Sequence, residues 1–232
     1  MKKTIVISLG GSLIVPDKIN YKFLNKFKKT LEKNKRKYNF VIVCGGGKTA
    51  RNYIKGLENE KIKSKKKFLL QSYLGIASTR LNARFMTYFF GEDANQGIPD
   101  NMKQIKNLLR KNNYVFCGAL RYSPNQTSDS TSAKLANYFK TEFINLTNVR
   151  GLYDKNPKKF RSAKFIPEIS HKEFLKMAKK IEFKPGQHFA LDQTAAKIIK
   201  KHKITTYILG DDTKQLDNLL NKKHFIGSRI SS

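Results

Sequence analysis

Three short segments place glycine beside small polar or charged residues directly after an apolar run. They are Gly10-Gly11-Ser12, Gly45-Gly46-Gly47-Lys48, and the stretch from Gly118 to Asp129. Glycine in such a place lets backbone N–H groups approach phosphate oxygens, and a following helix N-terminus adds a favourable field. In open α/β sheets, ligands bind at the carboxyl ends of the strands. One such loop is often only a turn, whereas three in one chain point to a phosphorylated ligand. Gly47-Lys48-Thr49 looks like the end of a P-loop. That motif needs a second glycine upstream, and position 42 is Ile, inside the apolar run. The phosphate chemistry is therefore not that of a P-loop NTPase. Lys48 and Arg51 follow the triple glycine and bring positive charge to it. Asp129 and Asp192 each precede a helical pattern, where a carboxylate can also serve as a helix cap. The histidines (His171, His188, His202 and His224) are scattered and have no metal-ligand spacing.

These residues need strands and helices to hold them. Thr4–Leu9 reads as a short buried strand ending in a tight turn. Asn20 can cap a helix whose apolar residues Phe23, Leu24, Phe27 and Leu31 recur at helical spacing. Phe40–Val43 is a second strand, followed by a helix with Ala50, Tyr53, Ile54 and Leu57 on one face. Phe68–Phe90 is a long helical pattern, and Asp100 can cap another helix running to about Lys111. Tyr114–Cys117 and Phe143–Leu146 read as strands, with a helix through Ala133, Leu135, Ala136 and Phe139 between them. The last third is looser until a helix at Thr194–Lys201, a strand at Thr205–Leu209 and a last helix marked by Leu216, Leu219 and Leu220. Alternation of this kind predicts an α/β fold, a three-layer αβα sandwich with a mostly parallel central sheet. We expect one domain over 1–232, with a soft boundary between two lobes near 155–167.

The length of 232 residues allows one large domain with a sizeable core, and 39% hydrophobic residues argue against disorder. The Thr4–Leu9 run is too short for a signal peptide, and no apolar run approaches membrane-spanning length. A cytoplasmic, soluble protein is expected, without a membrane partner. Cys44 and Cys117 end apolar runs and read as buried free thiols. The formal net charge of +30 would suit nucleic acid. The lysines are dispersed as on solvated helix faces, however, and no nucleic-acid motif is recognisable, so nucleic acid is not the expected partner. A basic surface draws in small nucleotides equally well.

Several segments are similar to a known family. Val6-Ile7-Ser8-Leu9-Gly10-Gly11-Ser12 resembles the opening of amino-acid-kinase superfamily members. Gly45-Gly46-Gly47-Lys48-Thr49-Ala50-Arg51 looks like the archaeal UMP kinase branch. So does the helix Leu74-Gly75-Ile76-Ala77-Ser78-Thr79-Arg80-Leu81-Asn82-Ala83. Leu146-Thr147-Asn148-Val149-Arg150-Gly151-Leu152-Tyr153-Asp154 and Leu191-Asp192-Gln193-Thr194-Ala195-Ala196-Lys197-Ile198 match later segments of that branch in the same order. The resemblance implies ATP-dependent phosphorylation of a nucleoside monophosphate, UMP first, with Mg²⁺. It implies an acceptor-binding N-lobe, an ATP-binding C-lobe, and a hexamer built as a trimer of dimers. Under it, Asp129, Asp192 and Lys48 are the catalytic candidates, and Asp129 can act through the metal. Gly10, Gly11, Ser12, Gly47, Arg51, Thr147, Asn148, Tyr153 and Asn156 would face ATP. Gly46, Ser72, Leu120, Arg121, Asn125, Gln126, Thr127 and Ser128 would face the acceptor.

The chain departs from that pattern in places. Ser8 stands where many superfamily members have Lys, and Ser72 where an acidic residue usually contacts the acceptor ribose. Arg150 and Asn156 replace two aspartates of the ATP loop. Tyr122-Ser123 looks inserted before Pro124. A kinase of the same fold for isopentenyl phosphate is an alternative, but those enzymes carry a His in the helix after the triple glycine and Lys48–Leu57 has none. A non-catalytic nucleotide- or anion-binding protein on the same fold is another.

Overall fold

The computed structural model describes residues 2–58, 60–122, 127–180 and 191–232. In chain order the elements are β1 (Lys3–Leu9), α1 (Gly11–Ile14), α2 (Tyr21–Asn34), β2 (Tyr38–Cys44), α3 (Gly47–Gly56), α4 (Ser64–Phe90), α5 (Met102–Leu108) and β3 (Tyr114–Cys117). Then follow α6 (Ser128–Tyr138), β4 (Phe143–Leu146), β5 (Leu152–Tyr153), β6 (Phe165–Ile166), β7 (Glu168–Ser170), α7 (His171–Lys179), α8 (Gln193–His202), β8 (Thr206–Leu209), α9 (Thr213–Leu220) and β9 (Ser228–Ser231). The main sheet has the order β3-β2-β1-β4-β8-β9-β7, and β5 and β6 form a separate antiparallel pair. The core pairs β3-β2-β1-β4-β8 are all parallel, and only β8–β9 within the main sheet is antiparallel. The expected mostly parallel α/β sandwich is what forms.

Alternation along each strand divides the core. Ile5, Ile7 and Leu9 point to one face with Phe40, Ile42, Tyr114 and Phe116, and pack on α2, α4 and α9. Val6, Val41, Val43 and Phe143 point to the other, against α5, α6, α7 and α8. Both faces of a parallel sheet are therefore covered, which is why the strands read as continuous apolar runs. Cys44 and Cys117 are buried and free, and they belong to opposite faces, so no disulfide can join them. Burial pushes the Cys117 thiol up to about 12 and the Cys44 thiol well above its usual range.

Helix ends follow side-chain chemistry. Asn20 caps α2 as expected, accepting from the Phe23 N–H at 3.3 Å. The α5 cap is Asn101 rather than Asp100, with its Oδ1 accepting from the Gln104 N–H at 2.9 Å. Tyr53, expected on the apolar face of α3, is 61% exposed, and α3 buries no residue because its inner side faces a cavity. The last third holds more structure than its apolar pattern suggests. In it, α7 starts at a capping box, Ser170 with Glu173, and β9 returns antiparallel to β8.

The edge strand β3 is closed off by a side chain. Asn95, 2% exposed, accepts from the Phe116 N–H at 2.6 Å and donates to the Phe116 carbonyl at 3.1 Å, as a neighbouring strand would. The loop that leaves β3 enters the cavity, so this clamp also positions the site. Asn95→Ala strands two buried backbone groups. It should cost about 2–4 kcal/mol in urea denaturation, and a loss below about 0.5 kcal/mol would contradict the clamp.

Candidate active site

A cavity of about 1410 Å³ opens along the carboxyl ends of the central strands. Pockets for one small ligand run to about 1,000 Å³, so this one has room for two. One half is walled by α3, α4 and the loop after β3. The other is walled by the segment after β4, the β5–β6 hairpin and Asp211. The halves meet at Gly10, Gly11, Asp129 and Asp192.

Sheet register builds the centre of that waist. Ser8 on β1 and Asn145 on β4 are direct register partners, so both side chains project to the same face. Asp129 lies in the first turn of α6, which packs on that face. Its Oδ1 accepts from Ser8 Oγ at 2.8 Å and from Asn145 Nδ2 at 3.1 Å. Asp129 is not the cap of α6. Thr127 is, its Oγ1 accepting from the Asp129 N–H at 3.1 Å and, in a capping box, from that of Ser130. The Thr127 hydroxyl in turn donates to Asp192 Oδ2. Asp192 caps α8 through its Oδ1, which accepts from the N–H groups of Thr194 at 2.7 Å and Ala195 at 2.9 Å. Two helix N-termini thus converge on one point, where their fields favour anions. Burial first, and then the Asp192 charge, push the Asp129 carboxyl up to about 7, against the opposing hydrogen bonds from Ser8 and Asn145.

The glycine loops lean on one another. A Cβ on Gly11 would fall 2.0 Å from the Gly47 nitrogen and 2.7 Å from the Gly45 carbonyl carbon. Gly47 has φ +62°, and a Cβ there would strike the Gly11 oxygen at 2.4 Å. The first two phosphate-type loops are therefore one interlocked backbone surface, held also by the Asn82 amide donating to the Gly45 carbonyl at 2.7 Å.

The structure brings most of the sequence candidates together. Gly10, Gly11, Ser12, Gly46, Gly47, Arg51, Ser72, Arg121, Thr127, Ser128, Asp129, Thr147, Asn148, Tyr153, Asn156 and Asp192 all line the one cavity. Asn125 and Gln126 lie outside the described residues. Leu120 is buried, and its carbonyl accepts from the Arg80 guanidinium, so it shapes the loop from behind. Lys48 does not line the cavity. Its N–H donates to the Val15 carbonyl at 2.8 Å, and its ammonium stands 3.9 Å from the exposed Asp17 carboxylate. Sequence reasoning missed the role of Ser8 and Asn145 toward Asp129, which only sheet register reveals. It also missed Lys155, Lys158 and Lys159, three lining cations that read as ordinary solvated lysines. Arg150 orders the same half. Its Nε donates to Tyr153 Oη at 2.8 Å, and its guanidinium stacks 4.8 Å from the Phe165 ring centre.

The raised Asp129 carboxyl fixes the sign of a pH effect. Between the ordinary carboxylate value of 3.8 and about 7 the folded chain holds the proton that the unfolded chain releases. Stability of the nucleotide-free protein should therefore fall as pH rises through that window and level off above it. Asp129→Asn should flatten this dependence and stabilise the protein at pH 8. The ceiling is about 4 kcal/mol, reduced by water in the cavity. Thermal denaturation across pH 4 to 8 checks this, and identical slopes for both proteins would contradict it.

The amino acid kinase family model matches residues 3–210. The chain is 33% identical over 231 residues to a uridylate kinase of Thermoplasma volcanium, covering 99% of this chain and 98% of that one. It is 34% identical over 223 residues to a uridylate kinase of Pyrococcus abyssi, covering 95% and 96%. Among solved structures, the uridylate kinase from Archaeoglobus fulgidus superposes over the full length of both chains with a TM-score of 0.81 and 30% identity. With a family match across nearly all of the sheet and relatives alike from end to end, the chain belongs to the amino acid kinase family.

Proposed function

We propose that this protein transfers the γ-phosphoryl group of ATP to UMP, giving ADP and UDP. The observation that carries the proposal is the single large cavity along the strand ends, lined by Asp129, Asp192 and the interlocked glycine loops. The names of full-length relatives support UMP as the acceptor.

Phosphoryl transfer passes through a loose transition state, so catalysis rests on positioning and on offsetting negative charge. The acceptor phosphate has a second pKa of about 6, so its oxygen is already ionised at neutral pH and needs no strong base. It attacks the γ-phosphorus in line, the bond to the ADP oxygen breaks, and no proton need move. The glycine loops and the N-termini of α6 and α8, which line the cavity, would lie against the transferring group and offset its charge. Lys155, Lys158 and Lys159 would hold the triphosphate, and the Tyr153 ring, fixed by Arg150, would wall the donor nucleoside.

Asp129 and Asp192 lie close enough for one charge to raise the other's carboxyl. Magnesium is commonly held by one or two carboxylates together with substrate phosphates, and this donor pair fits that pattern. Asp129 and Asp192 would hold the ion, which would supply positive charge to offset that of the phosphates. The family resemblance also carries a homo-oligomer, which the exposed Tyr73, Leu81 and Tyr88 along the outer side of α4 support. Among the described residues no helix is long and apolar enough to cross a membrane.

Incubation with Mg-ATP and a panel of acceptors, followed by ADP release, tests the proposal. UMP should be the best ribonucleotide acceptor, and Asp129→Asn should lower kcat by at least about hundredfold. Absence of turnover with UMP, or full activity of Asp129→Asn, would contradict it.

A further inference from the structure

Three residues on one turn of α4 bond to backbone outside that helix. Asn82 is buried, and its amide donates to the Gly45 carbonyl at 2.7 Å. Arg80 donates from Nε to the Ala119 carbonyl at 3.2 Å, and its guanidinium also donates to the Leu120 carbonyl. Thr79 Oγ1 accepts from the Ala119 N–H at 2.9 Å. The loop after β3 lies directly on this turn. A Cβ on Gly118 would fall 2.6 Å from Thr79 Oγ1 and 2.7 Å from the Arg80 nitrogen. The loops after β2 and β3 contribute Gly46 and Arg121 to the cavity lining, and both are fastened to the same turn.

A trans peptide is planar, so its C=O and N–H point in opposite directions. Holding a carbonyl therefore sets the direction of the next residue's N–H. Asn82 sets that of Gly46 in this way, and Arg80 sets those of Leu120 and Arg121. Backbone N–H groups are the donors that such loops offer to phosphate. Alignment matters for transfer, because a misplacement of about 1 Å can cost about hundredfold in rate.

Resting on the kinase reading above, we infer that Arg80 and Asn82 are positioning residues for the acceptor phosphate. They act through the two loops. The turn of α4 holds both in one frame, and that frame aligns the acceptor oxygen on the γ-phosphorus.

Arg80→Met and Asn82→Leu remove the donors and keep side-chain bulk. The full-length variants are compared with the parent protein at a temperature where all are folded. Steady-state assays use Mg-ATP and UMP, calorimetry measures UMP binding, and amide exchange follows the loops at 45–47 and 118–121. In each variant kcat should fall at least about tenfold, and by more than UMP affinity does. The loop that the residue holds should exchange at least about fivefold faster. Retained kcat overturns the inference, as does weaker UMP binding with kcat unchanged, or unchanged exchange in the loop concerned. Should either variant fail to fold, Arg80→Lys or Asn82→Ser takes its place under the same criteria. No turnover by the parent protein would contradict the proposed reaction itself. The exchange rates then decide the anchoring alone, supporting it if faster and overturning it if unchanged.

Discussion

The hydrogen bonds that Ser8 and Asn145 give to Asp129 depend on most of the fold. A carboxylate drawn out of water is costly unless it is hydrogen-bonded, and these two donors can reach it only if β1 and β4 are parallel and in register at Ser8 and Asn145. They also need α6 packed on that face of the sheet with its first turn at the strand ends. A slip of one residue would turn Ser8 or Asn145 to the opposite face, into an apolar core. Register, helix placement and site chemistry are thus one condition. The carboxyl still sits near 7, so the charge at this point remains weakly held by the protein alone. A cationic partner arriving with the nucleotide would find a group ready to lose its proton.

Thr127 extends that condition to the second helix. Its one hydroxyl accepts from the start of α6 and donates to Asp192, the cap of α8. Pulling the two N-termini apart would break the hydrogen bond that joins their caps. On the opposite side of the waist, the interlocked glycines fix the backbone after β1 against that after β2. Phosphate therefore meets a pre-set surface, which suits a reaction whose catalysis is mainly positioning. The use of glycine here is steric first: Gly11 and Gly47 are required because the two loops touch.

Much of this was legible in the sequence. β3 and β4 fall where their apolar runs predict them, because strands covered on both faces leave an uninterrupted apolar signature. The glycine loops mark the strand ends, and Asp192 serves as the cap that its position suggests. What stayed hidden depends on distance in the chain. Ser8 and Asn145 are small polar residues inside apolar runs, and nothing local says that they meet over Asp129. Lys48, which after a triple glycine looks like a phosphate ligand, has its ammonium 3.9 Å from the exposed Asp17 carboxylate. The α7 start was readable from the capping box at Ser170 and Glu173, whereas the apolar pattern there is diluted by lysines. The cation trio near Pro157 could not be told from other lysines in a chain with a net charge of +30.

The central claim is that two nucleotides enter opposite halves of one cavity and bring their phosphates together at Asp129. A crystal structure with UMP and a non-hydrolysable ATP analogue tests it most directly. The expected result is UMP against α3 and α4, the analogue against the β5–β6 hairpin, and the reacting phosphorus and oxygen within about 3.5 Å beside Asp129. Both nucleotides in the same half, or phosphates meeting away from Asp129 and Asp192, would contradict it.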